Sequence, residues 1–379
     1  MAAAEPAPLP VPLWRDRAHL ELTSGHLQWT DPSRDRTIAA QWQAPQGAPG
    51  TALVLILPGL AQGSTAPAQL IEELAAAGFA VLTVGHPGND ASVWQGSDAR
   101  RADFTQAARR MYSVAELTER VADVRFVLDS LQKEPPPWLR PGATQRIGVV
   151  GIGLGAQTAQ ALVGESMARS QEPTVEPRLA AVALLGPYVG FEGPAMHQRY
   201  DRIVTPMLIA YGLTETDPYG LGMTSQQRRA MVAELRQARV VELRLPTTSL
   251  VGTLSTDAGR SMGGGPAQGA EPTLPRGDAP NRGGRDPRSG PPPGGNPPAG
   301  ATRTTMMNAD GAMGLPGNPA SVANNRAVRV ALLLSVLAFL ESELAGSADA
   351  RDWLEGPHPG PAQWTVYPAG RAAAPGSVR

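Results

Sequence analysis

Residues 146–165 read RIGVVGIGLGAQTAQALVGE, and this stretch decides the fold. An apolar run of strand length comes first, glycines follow at positions 151, 153 and 155, and an alanine-rich helical pattern comes last. A strand, a tight turn and a helix form the repeating unit of a doubly wound α/β sheet. Two unrelated kinds of site use such a turn. One binds a dinucleotide phosphate at the helix N-terminus, and the other presents a catalytic serine.

The sequence on either side repeats the alternation of strand and helix. Amphipathic patterns predict helices at 67–77, 113–131 and 322–344, and the second begins with the capping pair Ser113 and Glu116. Two extended runs around DPSRD predict a β-hairpin within 26–44. Continuous apolar runs predict buried strands at 51–57, 79–84, 146–150, 179–185, 206–211 and 240–245. We therefore expect an α/β domain with a mostly parallel, doubly wound sheet flanked by helices.

Composition divides the chain into one domain and three irregular segments. Residues 1–18 are expected to be a flexible lead, residues 19–354 the domain, and residues 355–379 a tail. Within the domain, 22 of the 42 residues from 259 to 300 are glycine or proline. Such a stretch has too few apolar groups to offset the entropy cost of ordering it. We therefore expect a disordered insertion at about 255–320.

The overall charge and the cysteine content exclude several classes of protein. The formal net charge is −1, from 33 basic and 34 acidic side chains, whereas nucleic-acid binding needs a basic surface. The absence of cysteine excludes disulfides, thiolate metal sites and a cysteine nucleophile. The longest apolar run, 330–340, is too short for a transmembrane span. The alanine- and proline-rich start resembles an exported protein after signal cleavage, which favours a periplasmic or secreted location over the cytoplasm.

The first interpretation of the glycine turn is dinucleotide binding. Gly151, Gly153 and Ala156 match the G-x-G-x-x-A pattern, and a helix N-terminus follows to receive a pyrophosphate. Two features count against this interpretation. At least two sheet strands precede the turn, and no acidic residue ends the next strand to hold a ribose, because Glu192 comes too late. Dinucleotide binding therefore stays as an alternative.

The second interpretation is a nucleophile elbow, G-x-S-x-G, in which Gly151 and Gly155 are needed because the helix and the neighbouring strand crowd the turn. Six further runs in order resemble a known group: DPSRDRTIAAQWQAP, LVLILPGLAQGS, GFAVLTVGHPGND, ELTERVADVRFVLDSL, LIAYGLTETDPYG and AFLESELAGSADARDWL. From residue 31 to 354, outside the insertion, the chain resembles α/β-hydrolases of the dienelactone-hydrolase-like group. Within these hydrolases, the resemblance lies near the bacterial relatives of platelet-activating-factor acetylhydrolase.

The resemblance implies a catalytic triad in which two of the three roles are empty. The nucleophile position falls on Gly153, which has no side chain, and the acid falls on Glu215. The histidine position falls near Ser249, and no histidine occurs from 198 to 357. Without a nucleophile no acyl-enzyme can form, so the resemblance implies a degenerate triad with no functional catalytic residue.

Other parts of an ancestral site need no side chain. The resemblance assigns the oxyanion-hole donors to the backbone N–H groups of Leu60 and Leu154. These observations favour a pseudoenzyme that acts as a binding or structural subunit. An ester hydrolase with unorthodox catalytic residues is the alternative from a different class.

The remaining candidates concern the cleft and a partner. Pro58 and His86 are candidate cleft-lining residues, although a turn residue bonded to nearby backbone is the simpler interpretation of His86. No cofactor is expected, and the scattered histidines form no metal-ligand set. A locally basic insertion is suited to reach an acidic protein partner in a larger assembly, and a solvated spacer without a partner is the simpler interpretation of it. Its arginines are Arg260, Arg276, Arg282, Arg285 and Arg288.

Overall fold

The computed structural model describes residues 20–47, 50–94, 101–166, 175–190, 193–215, 217–255, 319–358 and 362–372. The predicted lead at 1–18, the predicted insertion except for its ends, and the arginines of that insertion lie outside the described residues. In the described ranges, no helix has the length and apolar character needed to cross a membrane.

The six strands from β3 to β8 fall where the apolar runs predict them, within two residues at each end. The described strands are β1 Leu22–Asp31, β2 Arg36–Pro45, β3 Leu53–Leu57, β4 Ala80–Gly85, β5 Ile147–Ile152, β6 Leu179–Leu185, β7 Met207–Gly212, β8 Val240–Leu245 and β9 Gln363–Tyr367. The predicted hairpin is present as β1 and β2, which pair in antiparallel register from Leu22 with Pro45 to Asp31 with Arg36.

The helices follow the strands in alternation. They are α1 Ala68–Ala76, α2 Arg101–Met111, α3 Val114–Lys133, α4 Leu154–Leu162, α5 Met196–Tyr200, α6 Ser225–Glu234, α7 Leu250–Ser255, α8 Pro319–Leu344 and α9 Ala348–Glu355. Ser113 caps the start of α3 as predicted, because its side chain accepts the backbone N–H of Glu116. Its own N–H donates to the carbonyl of Arg110 rather than to the Glu116 side chain that a capping box would use. The sequence patterns did not predict α2, α5, α6, α7 or α9, since these helices are short or carry few apolar residues.

All strands belong to one sheet in the order β1-β2-β4-β3-β5-β6-β7-β8-β9. The six strands from β4 to β8 in this order are parallel to one another. Strand β2 is antiparallel to β4, and β9 is antiparallel to β8. The chain has the α/β-hydrolase fold, a mostly parallel doubly wound sheet with helices on both faces, as the sequence predicts.

The sheet is covered on both faces because its central strands are apolar at every position. Leu53, Leu55 and Leu57 of β3 join the core on the face covered by α3, α4 and α6. Val54 and Ile56 join the core on the opposite face, which α1, α7, α8 and α9 cover. Alternate residues of a strand point to opposite faces, so a strand buried on both sides must be hydrophobic throughout.

Strand β9 corrects the prediction of an irregular tail at 355–379. Residues 363–367 add a ninth strand to the edge of the sheet, so the domain extends beyond residue 354. Trp364 and Val366 of β9 pack against the core, and Tyr367 donates its hydroxyl hydrogen to Glu242 Oε2 at 2.9 Å. The proline- and glycine-rich run before β9 hid this short strand from pattern analysis.

The topology brings several loops to one edge of the sheet. Parallel strands all end at the same edge, and ligands of open α/β sheets bind there. The segments that follow β3, β5, β7 and β8 carry Leu60, Gly153, Glu215 and Ser249, respectively. Residues far apart in the sequence therefore meet around one cleft.

Candidate functional site

The turn between β5 and α4 has the backbone conformation of a strained elbow. Gly153 adopts φ 52° and ψ −104°, a combination that residues with side chains rarely adopt. Its N–H donates to the carbonyl of Leu185 in β6 at 2.9 Å, which ties the turn to the neighbouring strand. A sharp strand-to-helix turn of this kind exposes its central residue at the top of the sheet.

The two flanking glycines are required by close packing. A Cβ atom at Gly155 would lie 1.9 Å from the carbonyl oxygen of Leu57 in β3. A Cβ atom at Gly151 would lie 2.6 Å from the Cα of Ala156 in α4. Both obstacles are backbone atoms, so the helix and the neighbouring strand crowd the turn.

Gly153 itself has room for a side chain. The nearest atom to a Cβ built there is the hydroxyl oxygen of Tyr112, at 3.7 Å. Space therefore does not force glycine at this position, and the positive φ is the remaining steric restriction. In its present form the position presents a backbone turn to the cleft and no reactive group.

The cleft at this edge is small, with a volume of about 60 Å³. Its walls come from the segments after β3, β5, β6, β7 and β8 and from the junction between α2 and α3. The lining residues are Gly59, Leu60, Gln62, Tyr112, Gly153, Leu154, Gly186, Glu215, Asp217, Pro218, Tyr219, Met223, Arg228, Ser249 and Val251. The site residues predicted at Leu60, Gly153, Leu154, Glu215 and Ser249 all lie along it.

The loop after β3 is fixed by side-chain hydrogen bonds. Gly59 N–H donates to Gln62 Oε1 at 2.7 Å, and Ala61 N–H donates to Asn89 Oδ1 at 2.8 Å. Across the described ranges, the N–H groups of Leu60 and Leu154 have no hydrogen-bond acceptor. Both residues line the cleft, and they are the two that the sequence resemblance assigns to an oxyanion hole.

The carboxylate of Glu215 already accepts hydrogen bonds from other groups of the protein. Its Oε2 atom accepts from Arg228 Nη1 at 2.8 Å and from the N–H of Gly212 at 3.2 Å. Its Oε1 atom accepts the N–H of Leu250 at 3.3 Å, at the start of α7. Arg228 is nearly fully buried and also donates from Nε to the carbonyl of Pro187 at 2.9 Å. The sequence analysis missed Arg228, because a basic residue on a polar helix gives no sign that it turns inward.

Ser249 serves as a helix cap. Its hydroxyl oxygen accepts the N–H of Gly252 at 3.0 Å, and its own N–H donates to Thr247 Oγ1 at 3.2 Å. Among the described cleft-lining residues there is no histidine. Ser249 therefore has no base beside it that would remove its proton.

Tyr112 is the second residue that sequence analysis missed. It lies between α2 and α3, is 7% exposed, and stacks at a tilt on Tyr188 with ring centroids 4.6 Å apart. Its carbonyl accepts from Gln157 Nε2 at 2.9 Å. Burial raises the pKa of Tyr112 well above its ordinary value, so its hydroxyl stays protonated.

His86 and Pro58 do not line the cleft in the described structure. His86 is buried and its Nδ1 atom lies 3.1 Å from Asp123 Oδ2 on α3. Burial lowers the pKa of His86 in spite of the nearby carboxylate, so the ring is neutral near pH 7. Its partner is a side chain rather than the nearby backbone that the sequence analysis expected. Pro58 is buried, and its carbonyl oxygen lies against Gly155.

No cluster of three or more metal-ligating side chains occurs in the part of the chain that the structure describes. No protein-family model matches the sequence, and a search of curated proteins finds no match either. Solved structures do show similarity. One is described as the polyethylene-glycol-bound complex of a novel cold-adapted esterase from an Arctic intertidal metagenomic library. It is 16% identical, covers 65% of this chain and 95% of its own, and gives a TM-score of 0.40.

A second structure is described as a zinc-bound form of a novel cold-adapted esterase from an Arctic intertidal metagenomic library. It is 16% identical, covers 62% of this chain and 90% of its own, and gives a TM-score of 0.38. The order and direction of the strands, rather than these neighbours, define the fold of this chain.

Proposed function

We propose that this chain is a catalytically degenerate relative of the dienelactone-hydrolase-like α/β-hydrolases that acts as a binding or structural subunit. One observation carries the proposal. The Gly153 turn keeps the backbone of a nucleophile elbow, whereas the described cleft has no nucleophile with a base beside it. A hydrolase of this kind needs both groups to form and resolve an acyl-enzyme.

The state of Glu215 supports the same proposal. In a triad, the acid must be available to orient the histidine through a hydrogen bond. Here the carboxylate accepts from Arg228 Nη1 and from two backbone N–H groups, one of which belongs to Leu250 beside Ser249. The hydrogen bonds that would hold a histidine are used to fix α6 and α7 instead.

The two alternative functions receive less support. An ester hydrolase with unorthodox residues is favoured by the two open N–H donors of Leu60 and Leu154, which alone give only weak rate acceleration. Dinucleotide binding through residues 151–156 is opposed by the size of the cleft. Its volume is about 60 Å³, whereas pockets for ligands of drug size or larger measure roughly 300–1,000 Å³.

The test of the proposed function is an assay for acyl transfer. We expect the purified chain to hydrolyse p-nitrophenyl acetate and butyrate no faster than buffer, and a fluorophosphonate probe to leave it unlabelled. The variant Gly153→Ser adds a hydroxyl without a base, so we expect it to raise turnover by less than about tenfold. Stoichiometric labelling of any serine in the unaltered chain would show that it is an active hydrolase.

A double variant provides the matched control. Gly153→Ser combined with Ser249→His restores both missing side-chain types at the edge where Glu215 lies. Turnover in the double variant beyond that of Gly153→Ser would show that loss of the base, and not collapse of the cleft, accounts for inactivity. A circular-dichroism melt of each variant checks that it is folded.

A further inference from the structure

The last strand of the sheet, β9, is open along its outer edge. Strand β8 is buried at five of its six positions, whereas β9 has one exposed residue, Gln363, and four that are partly exposed. In the described ranges, β9 pairs with β8 on one side, and no strand lies along its other side. Alternate residues of an antiparallel strand direct their N–H and C=O groups away from the neighbour. Strand β9 therefore presents unpaired backbone donors and acceptors to the outside.

This open edge carries no charge. The sequence of β9 is QWTVY, in which tryptophan, threonine, valine and tyrosine all have high β-propensity. In natural proteins, edge strands are commonly protected from pairing by lysines, prolines or inward-pointing charges. None of these occurs within β9, and Pro368 comes only after its last residue. The composition of β9 therefore suits it to pair with a further strand.

A groove with a volume of about 590 Å³ lies beside this edge, on the face of the sheet that α9 covers. Trp364 and Val366 of β9 form one wall, and Leu354 and Glu355 at the end of α9 form the other. The two charged residues of the groove form an ion pair with each other, because Arg239 Nη2 lies 2.9 Å from Glu355 Oε1. The groove therefore offers apolar surface and a neutralised charge, which suits an uncharged apolar occupant.

Trp364 is fixed by contacts within its own domain. Its indole N–H donates to Ser335 Oγ of α8 at 3.0 Å, and its ring stacks on His358 with ring centroids 4.3 Å apart. A side chain that is already ordered loses little entropy when a partner binds. The wall of the groove is therefore preorganised for association.

The sequence of β9 is complementary to itself in antiparallel register. When Thr365 lies opposite Thr365 of a second copy, all five residues are paired, because Gln363 then faces Tyr367 and Trp364 faces Val366. Pairs of two threonines, and of an aromatic with a β-branched residue, are favourable across strands. Residues directly opposite each other share a face of the sheet, so the second copy brings its Trp364 and Val366 to the face that holds the groove. The strand that pairs thus supplies the apolar occupant.

We propose that two copies of this chain form a dimer by antiparallel pairing of β9 with β9, about a two-fold axis through Thr365. The pairing joins two nine-stranded sheets into one. Because five residue pairs and one groove make a small interface, we expect a weak dimer with a Kd on the order of 10 µM. The dimer uses no residue of the cleft, so its formation does not depend on whether the chain hydrolyses esters.

Sedimentation velocity of the unaltered full chain tests the association. We expect a reversible rise in mass from one chain towards two over loading concentrations from about 1 to about 200 µM. A chain that stays monomeric throughout this range would overturn the proposal. A chain that dimerises only after removal of residues 373–379 would show that its own C-terminus occupies the edge, which also overturns the proposal.

Single cysteines locate the interface, because the chain has none of its own. Thr365→Cys places two thiols directly opposite each other, at a Cα separation of about 5 Å that a disulfide can bridge. Gln363→Cys is the matched control, because it is more exposed but lies four residues, roughly 13 Å, from its counterpart along the strand. We expect oxidised glutathione to cross-link Thr365→Cys at least tenfold faster than Gln363→Cys. Equal rates, or faster cross-linking of Gln363→Cys, would contradict pairing about Thr365.

A charge on the two-fold axis tests the pairing without an oxidant. Thr365→Lys brings two like charges together in the dimer, so we expect the Kd to rise at least about tenfold. The monomer should tolerate this lysine, because position 365 lies opposite Glu242 of β8. Gln28→Lys is the control on β1, the opposite edge of the sheet, and should leave the Kd unchanged. An unchanged Kd for Thr365→Lys, or a loss of dimer in Gln28→Lys alone, would place any interface elsewhere and overturn the proposal.

Discussion

The three glycines of the β5–α4 turn meet three different steric requirements within five residues. Gly151 lies against the backbone of α4, and Gly155 lies against the carbonyl of Leu57. Gly153 has open space on its side-chain side but a positive φ. Of the three, only Gly153 therefore combines room for a side chain with a location on the cleft. A nucleophile elbow carries its reactive residue at this central position.

These differences predict unequal costs for the same substitution. Gly155→Ala drives a methyl group into a backbone oxygen, so we expect it to lower the free energy of unfolding by at least about 3 kcal/mol. Gly153→Ala meets no obstacle and is expected to cost only the backbone strain, about 1–2 kcal/mol. Urea unfolding followed by circular dichroism measures both. Equal losses would mean that crowding by β3 does not determine glycine at position 155.

At the scale of elements, a buried carboxylate joins the β1–β2 hairpin to α3 and β4. Asp123 on α3 accepts from Arg34 at 2.8 Å, from Arg36 at 2.9 and 2.8 Å, and lies 3.1 Å from His86. Burial alone raises the pKa of Asp123, but the hydrogen bonds of His86 and Arg36 outweigh it and hold that pKa far below its ordinary value. The first hairpin is thus attached to the sheet by charge as well as by strand pairing.

Removing this charge is expected to be costly and pH-dependent. Asp123→Asn leaves two arginines without their carboxylate and should lower stability at pH 7 by about 3–5 kcal/mol. Because the pKa of Asp123 is lower in the folded state, its stabilisation is present above about pH 4 and is lost as the pH falls further. The difference between the two proteins should therefore narrow below pH 4 in thermal melts.

The control for this prediction is another acid of the same network. Glu119 contacts Arg34 at 3.0 Å but its side chain is 42% exposed, so Glu119→Gln should cost less than about 1 kcal/mol. If the Asp123→Asn deficit were the same at pH 3 and pH 7, the loss would come from packing rather than from the ionised carboxylate.

At the scale of the whole molecule, the chain leaves and re-enters the domain on one face. Helix α7 ends at Ser255, α8 begins at Pro319, and the two helices contact each other. Leu250 and Leu254 of α7 share a core cluster with Val328 of α8. The ends of the predicted insertion are therefore held together by packed elements of the domain itself.

This arrangement predicts that the domain tolerates a large deletion. Removing residues 259–301 leaves 256–258 and 302–318 to connect the two helices. A shorter loop loses less entropy on closure, so we expect Tm to rise by up to roughly 3 °C. A glycine–serine segment of the original length is the control and should leave Tm unchanged. A fall of several degrees on deletion that the glycine–serine segment does not reverse would show that the native segment packs on the domain.

Much of the fold follows from local patterns. Fully apolar runs predicted the central strands, because a strand buried on both faces of a sheet has no polar side. The alternation of these strands with helices predicted a mostly parallel sheet. The spacing of the glycines at 151, 153 and 155 predicted where the chain turns between strand β5 and helix α4. Strand β9 was missed, because its five residues follow a proline- and glycine-rich run and are stabilised by pairing with β8 rather than by a local signal.

The sequence by itself determined the alternation of the central strands with the longer helices, the location of the glycine turn, and the absence of a side chain at Gly153. Only the tertiary structure decided what surrounds that turn. Arg120 and Gln157 are 37 residues apart, and Gln157 and Tyr112 are 45 apart, yet they hydrogen-bond beneath the cleft. Such pairs form because parallel strands end at one edge and bring distant loops together. A periodic pattern predicts only local structure, because it compares residues that are near one another in the chain. The contacts between distant residues around the cleft were therefore known only from the folded structure.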